Sequence, residues 1–317
     1  YIYLIMYSQN NHLNLKLKIW MLSLLLLITL IILVGGLTRL TDSGLSITTW
    51  ELFAGTLPPL SHEKWIDYFN LYKTIPEYSE QNFNMTLSEF KIIFWWEWAH
   101  RQLGRLIGLS VLLPMIYFTI KNGLWILKEY LTIFLLVCFQ GFIGWYMVSS
   151  GLIDRIDVSH YRLSLHLVTA FIILSIVFWK FLKLTSLKNS QITIKLNSLK
   201  FFLLLIFLQL IIGAFVSGMD AGKVYNTWPL MGSTYFPNDS SFAEFFNLEV
   251  FDNPSIVQFV HRNLAYLIVF IYLYILYSVF KNGNIRLRFP ILIIGLSLLV
   301  QILLGIFTIL SGVKMFY

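Results

Sequence analysis

Glu97-Trp98-Ala99-His100-Arg101-Gln102-Leu103 returns later in the chain as Gln258-Phe259-Val260-His261-Arg262-Asn263-Leu264. Both copies lie in apolar stretches long enough to cross a bilayer, and His166 lies in a third. Ionisable side chains at membrane depth are expensive and mark functional positions by default. A duplicated intramembrane histidine therefore points to a cofactor that occurs twice. The acid of the first copy becomes an amide in the second, so the two sites are expected to do different jobs.

Composition sets the class. Of 317 residues, 57% are hydrophobic and 12% charged, and the mean hydropathy is +0.72. A soluble domain cannot hide that much apolar surface, so the chain reads as an all-α integral membrane protein. The lone cysteine, Cys138, lies in an apolar run and is most simply a small packing residue. It excludes a disulfide framework and any cysteine-based zinc or iron–sulfur site. Residue 1 is Tyr, so the recorded chain is expected to be a fragment at its amino end. The first apolar segment is too long for the core of a cleavable signal peptide.

Spans are expected near residues 19–38, 93–119, 129–150, 162–180, 201–219, 255–280 and 289–312. The loops between them sort by sign. Lys16 and Lys18 precede the first span, Lys121 and Lys128 join the second to the third, and Lys281, Arg286 and Arg288 join the last two. Lys180, Lys183, Lys188, Lys195 and Lys200 join the fourth to the fifth with no acid among them. The alternate loops hold nearly all the acids, including Asp42, Glu51, Glu63, Asp67, Glu77, Glu80, Glu89, Asp154, Asp157, Asp220 and Asp252. Basic loops stay on the cytoplasmic side. The amino terminus is therefore expected inside, and the long loops 38–92 and 218–254 outside. The formal charge of +7 is a topology signal, and a nucleic-acid partner is not expected. All three histidines then fall in early turns near the outer face, where Trp95, Trp96 and Trp98 fit an interfacial belt.

The repeat extends beyond the histidines. Gly35 to Gly44, closing on Thr49-Trp50, aligns with Gly213 to Gly222, closing on Thr227-Trp228. Gln140-x-x-x-Gly144 with Ser150-Gly151 aligns with Gln301-x-x-x-Gly305 with Ser311-Gly312. Two tandem four-helix bundles are expected, related by a pseudo-two-fold axis along the membrane normal. Residues 1–18 form an inner amino-terminal segment, 19–185 the first bundle, 186–200 a basic inner linker and 201–317 the second. An eighth span, with the counterpart of His166, is expected beyond Tyr317.

His100 and His166 have the makings of two axial ligands to one iron, and haem suits an apolar bundle. Zinc or copper would more often gather three or four ligands. An isolated intramembrane histidine is as readily a hydrogen-bonded packing residue, but three at one depth, two in a repeated motif, weaken that reading. Arg101, Arg105 and Arg262 share these helices and suit haem propionates; snorkelling to the interface is their plainer role. His12 and His62 read as solvated, and His160, just outside the fourth span, is a weak candidate. Glu97 shares a helix face with His100, and its alternative role is an ion pair with Arg101.

The segments 35–46, 97–105, 140–148 and 220–232 resemble the haem A synthase family, with the closest likeness to its alphaproteobacterial and mitochondrial branch. That resemblance implies eight helices, with substrate haem O in the first half and prosthetic haem b in the second. It implies an oxidoreductase that converts the C8 methyl of haem O to a formyl group through a hydroxymethyl intermediate, giving haem A for terminal oxidases. By motif, His100 and His166 would flank the substrate iron, His261 would ligate the prosthetic haem, and Glu97 would be the catalytic acid. The implied partners are haem O synthase, cytochrome oxidase assembly factors and an electron donor. The implied setting is a bacterial or mitochondrial inner membrane. Some relatives carry a cysteine pair in the first outer loop, which this chain lacks. One rival reading is a bis-histidine cytochrome passing electrons from quinol to a partner; another is a small-molecule transporter with fortuitous histidines.

Overall fold

In a bilayer every backbone N–H and C=O must find its partner within the protein, so long apolar runs fold as helices. The computed structural model describes residues 2–50, 54–185, 196–247, 249–283 and 285–313. The first unit, Tyr1–Lys188, contains α1 (Ile2–Leu40), α2 (His62–Tyr72), α3 (Pro76–Glu80), α4 (Leu87–Asn122), α5 (Trp125–Asp154) and α6 (His160–Leu184). The second unit, Asn189–Tyr317, contains α7 (Leu196–Gly218), α8 (Pro254–Lys281) and α9 (Ile285–Leu310). Seven of these helices, all but α2 and α3, are long and apolar enough to span a membrane. The chain is a multi-pass membrane protein.

The helices overrun the expected spans for local reasons. Residues 1–18 were expected as a separate segment, but no Gly or Pro interrupts them and α1 runs through. Helix α4 starts six residues before the expected span because Thr86 caps it, accepting from Glu89 N while the Glu89 carboxylate accepts from Thr86 N. Of the expected linker 186–200, residues 186–195 lie outside the described residues and 196–200 already belong to α7.

In the first unit, α1 and α5 each pack against both α4 and α6, closing a ring of four. Along α1, Leu17, Met21, Leu24 and Ile28 face this core, while Leu22, Leu26, Leu30 and Leu33 point outward. An all-round apolar helix of this kind suits a lipid surround. In the second unit α8 packs against both α7 and α9. There Gly295 of α9 admits the Tyr272 hydroxyl, which donates to Ile291 O at 3.1 Å. The duplication is also written in the backbone: Asp42 and Asp220 follow α1 and α7 with φ of +46° and +51°, a left-handed turn that Asp tolerates better than most residues.

The loop 38–92 carries helices of its own. Helix α2 is capped by Ser61 and buries Trp65, Phe69 and Tyr72 on one face. Trp65 meets Phe94 at 4.9 Å between ring centres, and Tyr72 meets Phe90 at 5.3 Å. Burying such a ring contributes about 1.5–3 kcal/mol, which holds the loop onto α4. Beneath it Glu77 is buried: its Oε1 accepts from the Tyr72 hydroxyl at 2.9 Å and from Asn82 Nδ2 at 3.4 Å. Burial pushes this carboxyl up from 4.5 to about 8; the Tyr72 hydrogen bond lowers it, and the charges of Glu97, Asp157 and Asp42 raise it further. Between those two values the folded loop holds a proton that the unfolded loop releases. Its stability is therefore expected to be greatest below 4.5 and to fall as pH rises to 8, by at most about 1.4 kcal/mol per pH unit. Hydrogen exchange over residues 62–82 at pH 5 and 8.5 measures this. Glu77→Gln should flatten the difference, and a pH dependence unchanged in that variant would refute it.

Candidate functional site

His100 from α4 and His166 from α6 face each other across the ring of four helices, 6.4 Å between ring centres with their planes at 74°. With metal–nitrogen bonds of about 2.0 Å and about 1.1 Å from nitrogen to ring centre, two imidazoles on one ion stand about 6.2 Å apart. The ring spacing thus matches that of two imidazoles sharing one iron. His166 Nδ1 is buried with no protein partner, an atom left over for a site that is not pure packing. Helix α5 sets His166: Gln140 Nε2 donates to its carbonyl at 2.9 Å. The ring edge lies where a Cβ on Gly144 would be, 3.0 Å from Cε1.

One turn before His100, Glu97 is 3% exposed. Its Oε1 accepts from Arg101 Nε at 3.0 Å and Nη2 at 2.6 Å. Its Oε2 accepts from Ser46 Oγ at 2.7 Å and from Ile47 N at 2.8 Å. Arg101 donates onward to Ile47 O at 2.8 Å and Thr49 O at 3.0 Å and lies over the Trp50 ring. The ion pair weighed as Glu97's plainer role is thus present, and it pins segment 46–50 onto α4. Arg105 and Arg101 line one cleft with Thr49, Gly55 and Trp98. In a site this dry, such a pair is held by geometry and full hydrogen bonding rather than by Coulomb attraction alone.

The second unit repeats the frame with different hydrogen bonds. Arg262 donates to Tyr225 O and Leu230 O, both at 3.2 Å, and Tyr225 follows Asp220 as Ile47 follows Asp42. Gln258 donates to the same Tyr225 O at 3.0 Å, so where the first unit's side chain accepts from the loop, this one gives to it. His261 is set by α7: Gln209 Nε2 lies 3.3 Å from its carbonyl and 3.2 Å from its Nε2.

Other candidates stand apart. His12 and His62 are exposed, as expected. His160 is buried against Tyr161, 4.1 Å between ring centres. Cys138 is exposed on α5, so it is not the packing residue expected: its helix turns it away from the bundle. Sequence reasoning missed Ser46, the Ile47 N–H and Gln209. Gln140 was marked only as part of a repeat, and that repeat was the available signal. Gln209 offered none, since Ile31 holds the matching place in the first unit.

Comparison with known proteins adds an independent line. A family model described as cytochrome oxidase assembly protein matches residues 18–317. The chain is 50% identical to the haem A synthase of Pelagibacter ubique over 95% of this chain and 90% of that one. It is 43% identical to that of Maricaulis maris, over 93% and 88%. It is 41% identical to that of Rickettsia bellii, over 93% and 89%. No solved structure matches it.

Proposed function

The chain belongs to the cytochrome oxidase assembly family of the haem A synthases, and from that premise we propose that it oxidises the C8 methyl of haem O to a formyl group, by way of a hydroxymethyl stage. In the first bundle, 19–185, His100 and His166 would hold haem O; in the second, 201–317, His261 would hold a prosthetic haem b. The single observation carrying this reading is the 6.4 Å gap between the His100 and His166 rings, with an acid one turn away in that unit alone. Bound haem supplies redox-active iron in a porphyrin suited to an apolar bundle.

The side chains do the rest. Arg101, Arg105 and Arg262 give positive charge at the depth where propionates would lie. Glu97, with Arg101, holds segment 46–50 against α4. A proton gained at its Oε2 would displace the Ile47 N–H bond, so proton uptake at Glu97 and closure of the loop are linked. Gln258 takes up no proton, which suits a site that only passes electrons. The acid-rich loops face the periplasm or intermembrane space, with the amino terminus inside. Haem O synthase, oxidase assembly factors and an electron donor are the partners this chemistry requires.

Chromatography of haems extracted from the purified protein tests the reading. Haem b together with O- or A-type haem is expected. Haem b alone would favour the electron-carrying cytochrome, and no haem at all would remove both.

A further inference from the structure

The two histidines set by glutamines share more than a residue type. On α5, Gln140 donates to the His166 carbonyl at 2.9 Å, and the Cβ position of Gly144, four residues on, lies 3.0 Å from His166 Cε1 and 3.6 Å from Nδ1. On α7, Gln209 donates to the His261 carbonyl at 3.3 Å, and the Cβ position of Gly213, again four residues on, lies 3.2 Å from His261 Cε1 and 3.7 Å from Nδ1. The same edge of each ring meets each glycine at nearly the same distance. In both pairs the same two atoms, Gln Oε1 and His Nδ1, are buried without a protein partner.

These are not aligned copies of one repeated segment. Gln140 and Gly144 sit on the third span of their unit, whereas Gln209 and Gly213 sit on the first span of theirs. The same glutamine–carbonyl and glycine–ring contacts thus occur twice, at two different places in the bundle, each time at a histidine, and Gln209 additionally lies 3.2 Å from His261 Nε2. Gly35 meets His100 as well, but through Nε2 at 3.1 Å, and Ile31 stands where the glutamine would be.

We propose that Gln-x-x-x-Gly is a seat for a haem-ligating histidine, with Gln140–Gly144 and Gln209–Gly213 as positioning residues for His166 and His261. The glutamine fixes the main chain of the histidine through the free lone pair of its helical carbonyl. The glycine leaves the ring's edge the volume a methyl would fill. Glycine within a helix costs about 1 kcal/mol relative to alanine, so at these places a close approach has to repay it. His100 has the glycine without the glutamine.

The inference rests on the haem reading, so its test reports on both. Haemin is titrated into the full chain in detergent, one site at a time: Gly144→Ala in a His261→Ala background, and Gly213→Ala in a His166→Ala background. A methyl 3.0–3.2 Å from the ring must move it by a few tenths of an ångström, more than the about 0.2 Å a metal–ligand distance tolerates. Haemin binding at the altered site is expected to weaken by about 10–100-fold, the usual effect of losing a supporting group. The low-spin electron paramagnetic resonance signature of the ligated iron should shift. Gln140→Leu, which leaves the glycine in place, should shift the signature in the same direction by less. Gly36→Ala and Gly141→Ala, whose Cβ positions meet nothing within 4 Å, should match their parents. Unchanged affinity and signature in both glycine variants would overturn the seat while leaving the haem reading intact. Equal losses in the Gly36 and Gly141 controls would overturn it too, as a general effect on folding. A parent protein that takes up no histidine-ligated haemin overturns both.

Discussion

Glu97→Gln is expected to lower methyl oxidation by about 10²–10⁴-fold, the usual effect of removing a positioned acid or base. Cells carrying it should accumulate haem O or its hydroxylated product. The substitution is less gentle than its size suggests. Each carboxylate oxygen faces two donors, Arg101 on one side and Ser46 with the Ile47 N–H on the other. An amide must turn its own donors toward one of those pairs. A lost charge-assisted bond costs about 1.5–3 kcal/mol, so segment 46–50 should loosen, seen as faster hydrogen exchange there. Haem affinity at His100 and His166 should change little, because neither ring depends on Glu97. Wild-type amounts of haem A from this variant would reduce Glu97 to a structural clamp.

His261→Ala is expected to empty the second site. Changes in groups that merely support a metal ligand cost about 10–100-fold in affinity, and removing the ligand itself should exceed that. Extracted haem b should fall to a small fraction of the parent's, and haem A should fall with it because the first site loses its electron supply. Haemin titrated into the first site should still bind, since His100 and His166 belong to a separate unit. If haem b content is unchanged, His261 is not its ligand.

Much of this was legible in the sequence because the membrane removes alternatives. A run such as Leu22–Leu33 has only one way to satisfy its backbone, so the spans were readable even where their ends were not. Those ends depend on caps, and the box formed by Thr86 and Glu89 extends α4 well past its apolar part. The repeat located His100 and His261, and charge spacing suggested the Glu97–Arg101 pair. The partners that complete the site were not readable. Ser46 and the Ile47 N–H reach Glu97 only because the chain reverses at Asp42, and nothing local to residue 46 announces an acceptor far along the chain. Gln209 was hidden because it breaks the alignment rather than obeying it. Helix α2 escaped notice because its buried face, Trp65, Phe69 and Tyr72, is short and set among charges. Cys138 misled because an apolar neighbourhood in sequence does not say whether a side chain faces protein or lipid.

The arginine grip carries a meaning in terms of descent. Arg101 and Arg262 hold the carbonyl of the same ancestral residue, now Ile47 in one copy and Tyr225 in the other. The scaffold around positions 97 and 258 therefore stayed put while those positions diverged. Glutamate and glutamine codons differ by a single base, and the exchange goes with changes in the loop: Val224 stands at the place of Ser46, and the Tyr225 carbonyl takes the amide's bond where the Ile47 N–H gave one to the acid. After the duplication, one copy could be specialised by a few substitutions around one position, while the motif's histidine and arginine were kept.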